Sequence, residues 1–337
     1  MAAEILSTHT PALFQKAVRR AAELLRAGEV VALPTETVYG LAANALDARA
    51  VARIFQVKGR PAHNPIIVHV VGGEMAARCV QTWPEPAARL ARSFWPGPLT
   101  LVLPRAEIIP DNVTAGGATV GVRWPGHPFI QAVIRECGFP LAAPSANLSN
   151  QLSPTNAGHV RAQLDGKIPL IVDGGQAQVG IESTVLDLTV TPPRILRPGM
   201  IHAESLAAVV GKVQSPKSKV QSPDGALRSP GLLEKHYSPK AKLVILTWRD
   251  ERDLQSQIGN RQSAIGNVHV IAHSHIPAPG SFANVSVVPH DAEAFARALY
   301  AELHRCDAAG AELIVVEAPP DLPEWSGIAD RLRRAAA

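Results

Sequence analysis

The chain has 337 residues, 46% of them hydrophobic and 18% charged, with a formal charge of +4. That balance excludes a largely disordered chain and predicts a globular protein of two domains, while the mild positive charge suits anionic ligands such as nucleotides or RNA. Three scattered cysteines, Cys79, Cys137 and Cys306, exclude a disulfide framework or structural zinc site and read as buried apolar fillers.

The first residues carry no basic region followed by an apolar run, and no segment approaches the roughly 18 uninterrupted apolar residues of a membrane helix. No membrane partner is therefore expected, and the expected location is the cytoplasm. Residues 10–28 read as an amphipathic helix: Thr10 caps it, Pro11 suits its first turn, Phe14, Val18, Ala22 and Leu25 form a stripe, and Gly28 ends it. A short apolar strand at 30–33 runs into the polar turn Pro34-Thr35-Glu36-Thr37. Asp47 then reads as the N-cap of a helix with Val51, Ile54 and Phe55 on one face, closing on Lys58-Gly59-Arg60-Pro61. Hydroxyls at one end and cations at the other would meet an anionic ligand. Either group alone is ordinary turn or surface chemistry, so the functional reading depends on later segments converging on the same place.

Residues 65–71, PIIVHVV, have the length and β-branching of a buried strand, inside which His69 is most simply a satisfied core residue. A helix at 85–94 ends at Trp95-Pro96-Gly97-Pro98, and a strand follows at 99–103. Residues 119–125 read as a strand ending on Arg123, and 128–136 as a helix. The loop from Ser145 to Thr155 is dense in hydroxyl and amide groups. A strand at 169–172 meets Asp173-Gly174-Gly175, Gly180-Ile181-Glu182-Ser183-Thr184 precedes a strand at 185–188, and Ile195-Leu196-Arg197-Pro198-Gly199 again closes a strand on a cation and a turn. This recurrence of strand, polar loop and helix predicts an α/β domain with ligand groups on loops at strand ends.

Composition changes at residues 211–230, where KVQSP occurs twice with almost nothing apolar to bury, which reads as a linker. Leu232, Leu233, His236 and Tyr237 at its far end would gain by docking on a surface. Strands at 243–246, 268–272 and 313–317 with helices near 291–304 and 328–336 predict a smaller α/β unit, and the QIGN and AIGN echo around residues 257–267 reads as a loop duplication. His273-Ser274-His275 lacks a neighbouring acidic or Cys partner, so no metal site is assigned there.

The sequence has no Walker loop, dinucleotide glycine fingerprint, H-E-x-x-H or nucleophile elbow. What remains is Lys58, Arg60, Arg123 and Arg197 as loop cations and Thr35, Thr37, Thr119, Ser145, Asn147, Ser153 and Ser183 as neutral donors. Cations and hydroxyls without a paired acid and base suit a site that works by positioning and by stabilising phosphate charge, as nucleotidyl transfer does.

The blocks PTETVYGL, KGRPAHNPIIVHV, FWPGPLTLVL, GVRWPGHP, APSANLSNQLSPT, GIESTVLDL and ILRPGMI, in that order, resemble the YrdC-like L-threonylcarbamoyladenylate synthases. SPGLLEKHYSPKAKL and the appended unit are similar to the long, two-domain form of that family. The resemblance implies a YrdC-like twisted mixed open sheet with helices over residues 1–207, a linker with an HYSP docking segment over 208–240, and a small Rossmann-like α/β domain over 241–337. It also implies an enzyme that converts L-threonine, bicarbonate and ATP, with Mg²⁺ accompanying the nucleotide, to L-threonylcarbamoyl-AMP and pyrophosphate. The product would go to the machinery that threonylcarbamoylates an adenosine of tRNA.

Matched residue by residue, the resemblance assigns Thr37, His69, Arg123, Ala143 and Ser183 to L-threonine. It assigns Arg60, Asn64, Thr119, Ser145, Ser153 and Arg197 to ATP, with Lys58 beside them as a charge that works with Arg60 on the phosphates. His236 or Tyr237 would reach in from the linker, and the segment from Leu232 to Tyr237 would act as a lid. Glu36, Asp173 and Glu182 lie in the motifs without an assigned role. The chain departs from the family at Asn150, where relatives often have glycine, a residue that tolerates the left-handed conformation. It departs again in the KVQSP duplication, which lengthens the tether. Alternatives are a carbamoyl-adenylate-forming enzyme of the same fold, which would bring Cys-rich zinc motifs absent here, and an RNA-binding module. Against the latter, the loop cations are not interleaved with aromatics, which make up only 4% of the chain, so at most weak RNA binding is expected.

Overall fold

The apolar run Val31–Leu33 after Gly28 forms one strand of a ten-stranded sheet. The structure is a computed structural model that describes residues 2–215, 236–259 and 267–337. Most of the KVQSP duplication, the QIGN and AIGN echo, and Leu232 and Leu233 of the expected lid fall outside these. The described residues divide into two compact units, one of 2–149 with 153–215 and one of 150–152 with those from 236 onward.

In the first unit β1 (Glu4–Ser7) leads into α1 (Pro11–Arg26). Thr10 caps that helix by accepting the Leu13 N–H, and Ala17, Val18, Ala21, Ala22 and Leu25 are its buried stripe. Next come β2 (Val31–Leu33), β3 (Gly40–Asn44) and α2 (Ala48–Lys58), the helix capped by Asp47 and ended by Gly59 at φ +59°. Because β2 and β3 pair antiparallel, Leu33 opposite Gly40, the PTETVY stretch is a hairpin loop. Sequence reading placed no strand at 40–44, since Gly and Ala are weak strand formers.

Then follow β4 (Val68–His69), α3 (Gly73–Arg78), α4 (Glu85–Phe94), β5 (Leu99–Pro104), β6 (Thr119–Arg123), α5 (Pro128–Cys137) and β7 (Leu141–Ala142). The strand expected over 65–71 is only two residues long. Ile66 N–H bonds Val113 and the Ile67 carbonyl accepts from Ala143, so its flanks are spent on neighbouring loops. The unit closes with α6 (Ala157–Leu164), β8 (Leu170–Asp173), β9 (Thr184–Asp187), β10 (Arg194–Arg197) and α7 (Ala203–Val210). Strand order is β1-β8-β2-β3-β7-β4-β6-β5-β9-β10, a mixed sheet. Within it β4 and β6 run parallel with His69 opposite Arg123, and β5 and β9 run parallel with Thr100 opposite Val185. Those two pairs aim their adjoining loops at one side of the sheet.

The second unit contains β11 (Lys242–Leu246), α8 (Glu251–Gly259), β12 (Val268–Ala272), β13 (Asn284–Val287), α9 (Ala292–Ala308), β14 (Leu313–Glu317) and α10 (Ser326–Ala335). All its strands are parallel, in the order β11-β14-β12-β13, with a core that includes Leu246, Trp248, Leu254, Val270 and Val315. Beyond the end of β12, Glu317 from β14 accepts the backbone N–H groups of His273 at 2.7 Å and Ser274 at 2.8 Å. Tyr237, at φ +63°, packs its ring 5.9 Å from Tyr300 and 5.4 Å beneath the Arg331 guanidinium. Ser238 N–H bonds the carbonyl of Asn150, which holds the expected left-handed conformation at φ +66°.

All three cysteines are free and buried, and burial raises their thiols to about 11. Among the described residues no helix is long and apolar enough to cross a membrane.

Candidate active site

Arg123 ends β6 and is almost wholly buried. Its Nη1 donates to Thr37 Oγ1 at 3.0 Å and its Nε to the Gly97 carbonyl at 3.1 Å, so the fork spans the hairpin loop and the Trp95-Pro96-Gly97-Pro98 turn. Glu36 Oε1 lies 2.6 Å from Arg123 Nη2. Thr35 sets the loop: its hydroxyl donates to the Val38 carbonyl at 2.6 Å and lies 3.0 Å from Thr37 Oγ1. His69, opposite Arg123 on the adjacent strand, is pushed down to about 3 by burial and then by the Arg123 charge, so its ring is neutral at physiological pH.

Backbone bonds tie the other motifs to this centre. Val179 and Gly180 N–H groups bond the carbonyls of Glu36 and Thr37, and Thr184 N–H bonds Pro98. Ser183 Oγ thereby comes within 2.8 Å of Thr100 Oγ1, and Arg197 Nη2 donates to it at 3.1 Å. Gly199 makes this approach feasible, because a Cβ there would stand 2.6 Å from Thr184 N and 2.9 Å from the Glu182 carbonyl. Ser153 Oγ donates to Glu182 Oε1 at 2.5 Å.

On the neighbouring loop, Lys58 at the end of α2 turns inward and donates to the carbonyls of Ser145 and Asn147, both at 2.5 Å. Burial and then the nearby Arg60 charge lower its pKa well below that of an ordinary lysine. Arg60 donates to the carbonyls of Asn64 at 3.1 Å and Pro65 at 2.7 Å. The Asn64 side-chain amide is fully buried, and among the described residues neither its Oδ1 nor its Nδ2 has a hydrogen-bond partner. Ala143 bonds Ile67 through its N–H. Thr119 lines a small recess, partly open to solvent, with Pro65, Ile67, Thr100, Gly121 and Val185.

The structure therefore groups Thr37, His69 and Arg123 in one cluster, Ser183 with Arg197, Lys58 with Ser145, and Arg60 with Asn64, all in the first unit. His236 and Tyr237 belong to the second unit, where His236 N–H bonds Arg334. Thr100, set in an apolar strand, gives no signal in the sequence, and Glu36 inside PTET gives no indication of a role there. In the second unit His273 Nδ1 lies 2.8 Å from His290 Nδ1 and His275 Nδ1 lies 2.7 Å from Glu317 Oε1. Among the described residues no group of three or more His, Cys, Asp or Glu is placed to hold a metal ion.

A mixed sheet whose loops gather arginines and neutral hydroxyls into buried clusters carries the groups that nucleotidyl transfer by an adenylate-forming enzyme requires. Residues 23–199 match the Sua5/YciO/YrdC family, whose description is telomere recombination, and residues 201–337 match the threonylcarbamoyl-AMP synthase C-terminal domain. The threonylcarbamoyl-AMP synthase of Pyrococcus abyssi is 41% identical over 95% of this chain and 94% of its own length. That of Bacillus subtilis is 42% identical over 98% and 94%. The crystal structure of P. abyssi Sua5 complexed with L-threonine superposes with a TM-score of 0.90 at 37% identity, covering 99% of this chain and 97% of that one. The chain belongs to the threonylcarbamoyl-AMP synthase family, in its two-domain form.

Proposed function

We propose that the first unit joins L-threonine, bicarbonate and ATP into L-threonylcarbamoyl-AMP and pyrophosphate. The observation that carries this is the buried Arg123 fork, held by Thr37 and Gly97 beside a neutral His69, which suits a substrate carboxylate. Thr37 and Ser183 hydroxyls and the Ala143 backbone would orient the rest of the amino acid. Asn64, together with Arg60, Ser145, Ser153 and Arg197, would hold the triphosphate, and Lys58 would brace the same loop from beneath. Thr119 would offer its hydroxyl on the nucleotide side.

Threonine's amine and bicarbonate give an N-carboxy-threonine and water. A carbamate oxygen then attacks the α-phosphorus of ATP, the bond to the β-phosphate oxygen breaks and pyrophosphate leaves. Mg²⁺ enters as part of the nucleotide substrate. The carbamate reverts in water, so exclusion of solvent during turnover protects it. The mixed anhydride formed is an activated acyl donor, which the tRNA-modifying transferase of the cytoplasm would consume.

The test is pyrophosphate release by the purified protein with ATP, Mg²⁺ and bicarbonate. Release should require both L-threonine and bicarbonate and should be lost in Arg123→Ala. Release without threonine, or with carbamoyl phosphate in its place, would overturn the assignment.

A further inference from the structure

Glu36 and Arg123 are in contact and almost wholly buried, 8% and 3% exposed, yet their hydrogen-bonding capacity is not spent on each other. They form an ion pair with Oε1 2.6 Å from Nη2, and neither Glu36 oxygen nor Arg123 Nη2 makes a hydrogen bond among the described residues. The other Arg123 nitrogens are occupied by Thr37 and Gly97. The Glu36 backbone is fixed by Val179, and its carboxyl lies over Gly126, where a Cβ would come within 3.4 Å of Oε1. An ion pair buried without supporting hydrogen bonds is costly, and such pairs persist where a ligand completes them.

The adjacent imidazoles do not compensate the pair. Burial pushes His69 down to about 3 and lowers His127, so both rings lean toward the neutral form. What remains is one acceptor of negative charge beside one donor of positive charge, both with capacity to spare. A free α-amino acid carries the complementary pair, carboxylate and ammonium, on one carbon. Placed here, its head group would close a ring of four charges of alternating sign.

We propose that Glu36 receives the α-ammonium of the amino-acid substrate, and that Glu36 and Arg123 together select a free α-amino acid over the same molecule lacking its amino group. This rests on Arg123 receiving the substrate carboxylate.

The experiment is calorimetric titration of the full chain with L-threonine and with (R)-3-hydroxybutanoate, which keeps the carboxylate, hydroxyl and methyl and lacks the amine. The wild-type protein should prefer L-threonine. Glu36→Gln should lose affinity for L-threonine on the order of 30-fold, the worth of a charge-assisted hydrogen bond, and hold (R)-3-hydroxybutanoate at least as tightly as before. Equal wild-type affinity for both ligands would overturn the proposal whether or not the variant folds. So would a Glu36→Gln protein that keeps the preference, or one that loses both ligands equally, since the latter marks a purely structural role. Arg123→Ala separates the two assignments. Loss of both ligands there with an intact preference in Glu36→Gln leaves Arg123 at the carboxylate and removes Glu36 from the ammonium. An Arg123→Ala protein that binds both ligands like wild type sinks both assignments.

Discussion

Lys58 Nζ lies 2.5 Å from the carbonyl oxygen of Ser145, with the side chain 2% exposed. The same ammonium donates to the Asn147 carbonyl, so one buried charge fastens the end of α2 to the SAN loop. Replacing it with Met, a similar unbranched chain, should strand two buried carbonyls and cost about 2–4 kcal/mol of stability. ATP affinity should fall with it, because Ser145 is no longer held. Denaturant unfolding beside nucleotide titration checks this: weak ATP binding with unchanged stability would mean that Lys58 meets phosphate rather than the loop.

His69 makes the protein acid-sensitive in a defined window. Its native pKa is about 3 against an ordinary 6.5, so between those values the unfolded chain binds a proton that the native state does not. The stability it contributes is full above about pH 6.5 and declines as pH falls toward 3, by at most about 1.4 kcal/mol per unit. Urea midpoints measured from pH 7 to pH 4 should drop more steeply for wild type than for His69→Asn. Parallel curves would show that the native ring takes up its proton like an ordinary histidine.

Gly199→Ala tests the close approach of two segments. The new Cβ would meet the backbone at Thr184 N and the Glu182 carbonyl, which cannot swing aside as a side-chain end can. Overpacking of this kind costs about 1–3 kcal/mol. Displacement of Ser183 and Arg197 should reduce pyrophosphate release well beyond what the loss of folded protein explains. The check is turnover per folded molecule alongside the melting temperature.

Glu317 organises the carboxyl edge of the second sheet. Burial alone would raise its pKa, but the N–H groups of His273 and Ser274 and the His275 ring hold it below the ordinary carboxylate range. Glu317→Ala orphans those N–H groups and should cost about 2–4 kcal/mol, expressed first in residues 267–337. Hydrogen exchange should show protection lost in β12 and β14 while β5 and β6 keep theirs. Uniform loss across both units would contradict this.

Local signals were legible in the sequence because their physics is local. Thr10 and Asp47 cap helices by bonding N–H groups two or three residues away, and Asn150 adopts the turn its side chain tolerates. Strands 40–44 and 141–142 were not legible, because Gly-Leu-Ala-Ala-Asn has weak intrinsic preference and the pairing of these two strands with each other spans about a hundred residues. The expected seven-residue strand at 65–71 shrank to two for the same reason: distant backbone groups at Val113 and Ala143 claimed its flanks.

By itself the sequence determined the family, through seven ordered blocks, and with it the kinds of groups at the site: arginines, hydroxyls and one lysine, with no nucleophile beside a base. Only the tertiary structure decided which of those groups spend their hydrogen bonds on one another. Strand β7 pairs between β3 and β4, and β6 lies on the far side of β4, so loops from residues 34–37, 97, 123 and 183 converge although nothing in their local chemistry aims them. That convergence consumes Lys58 on loop carbonyls and leaves Glu36 and Arg123 Nη2 with capacity to spare. The reason is that strand order sets which polar atoms come within 3 Å, a distance that no spacing along the chain encodes.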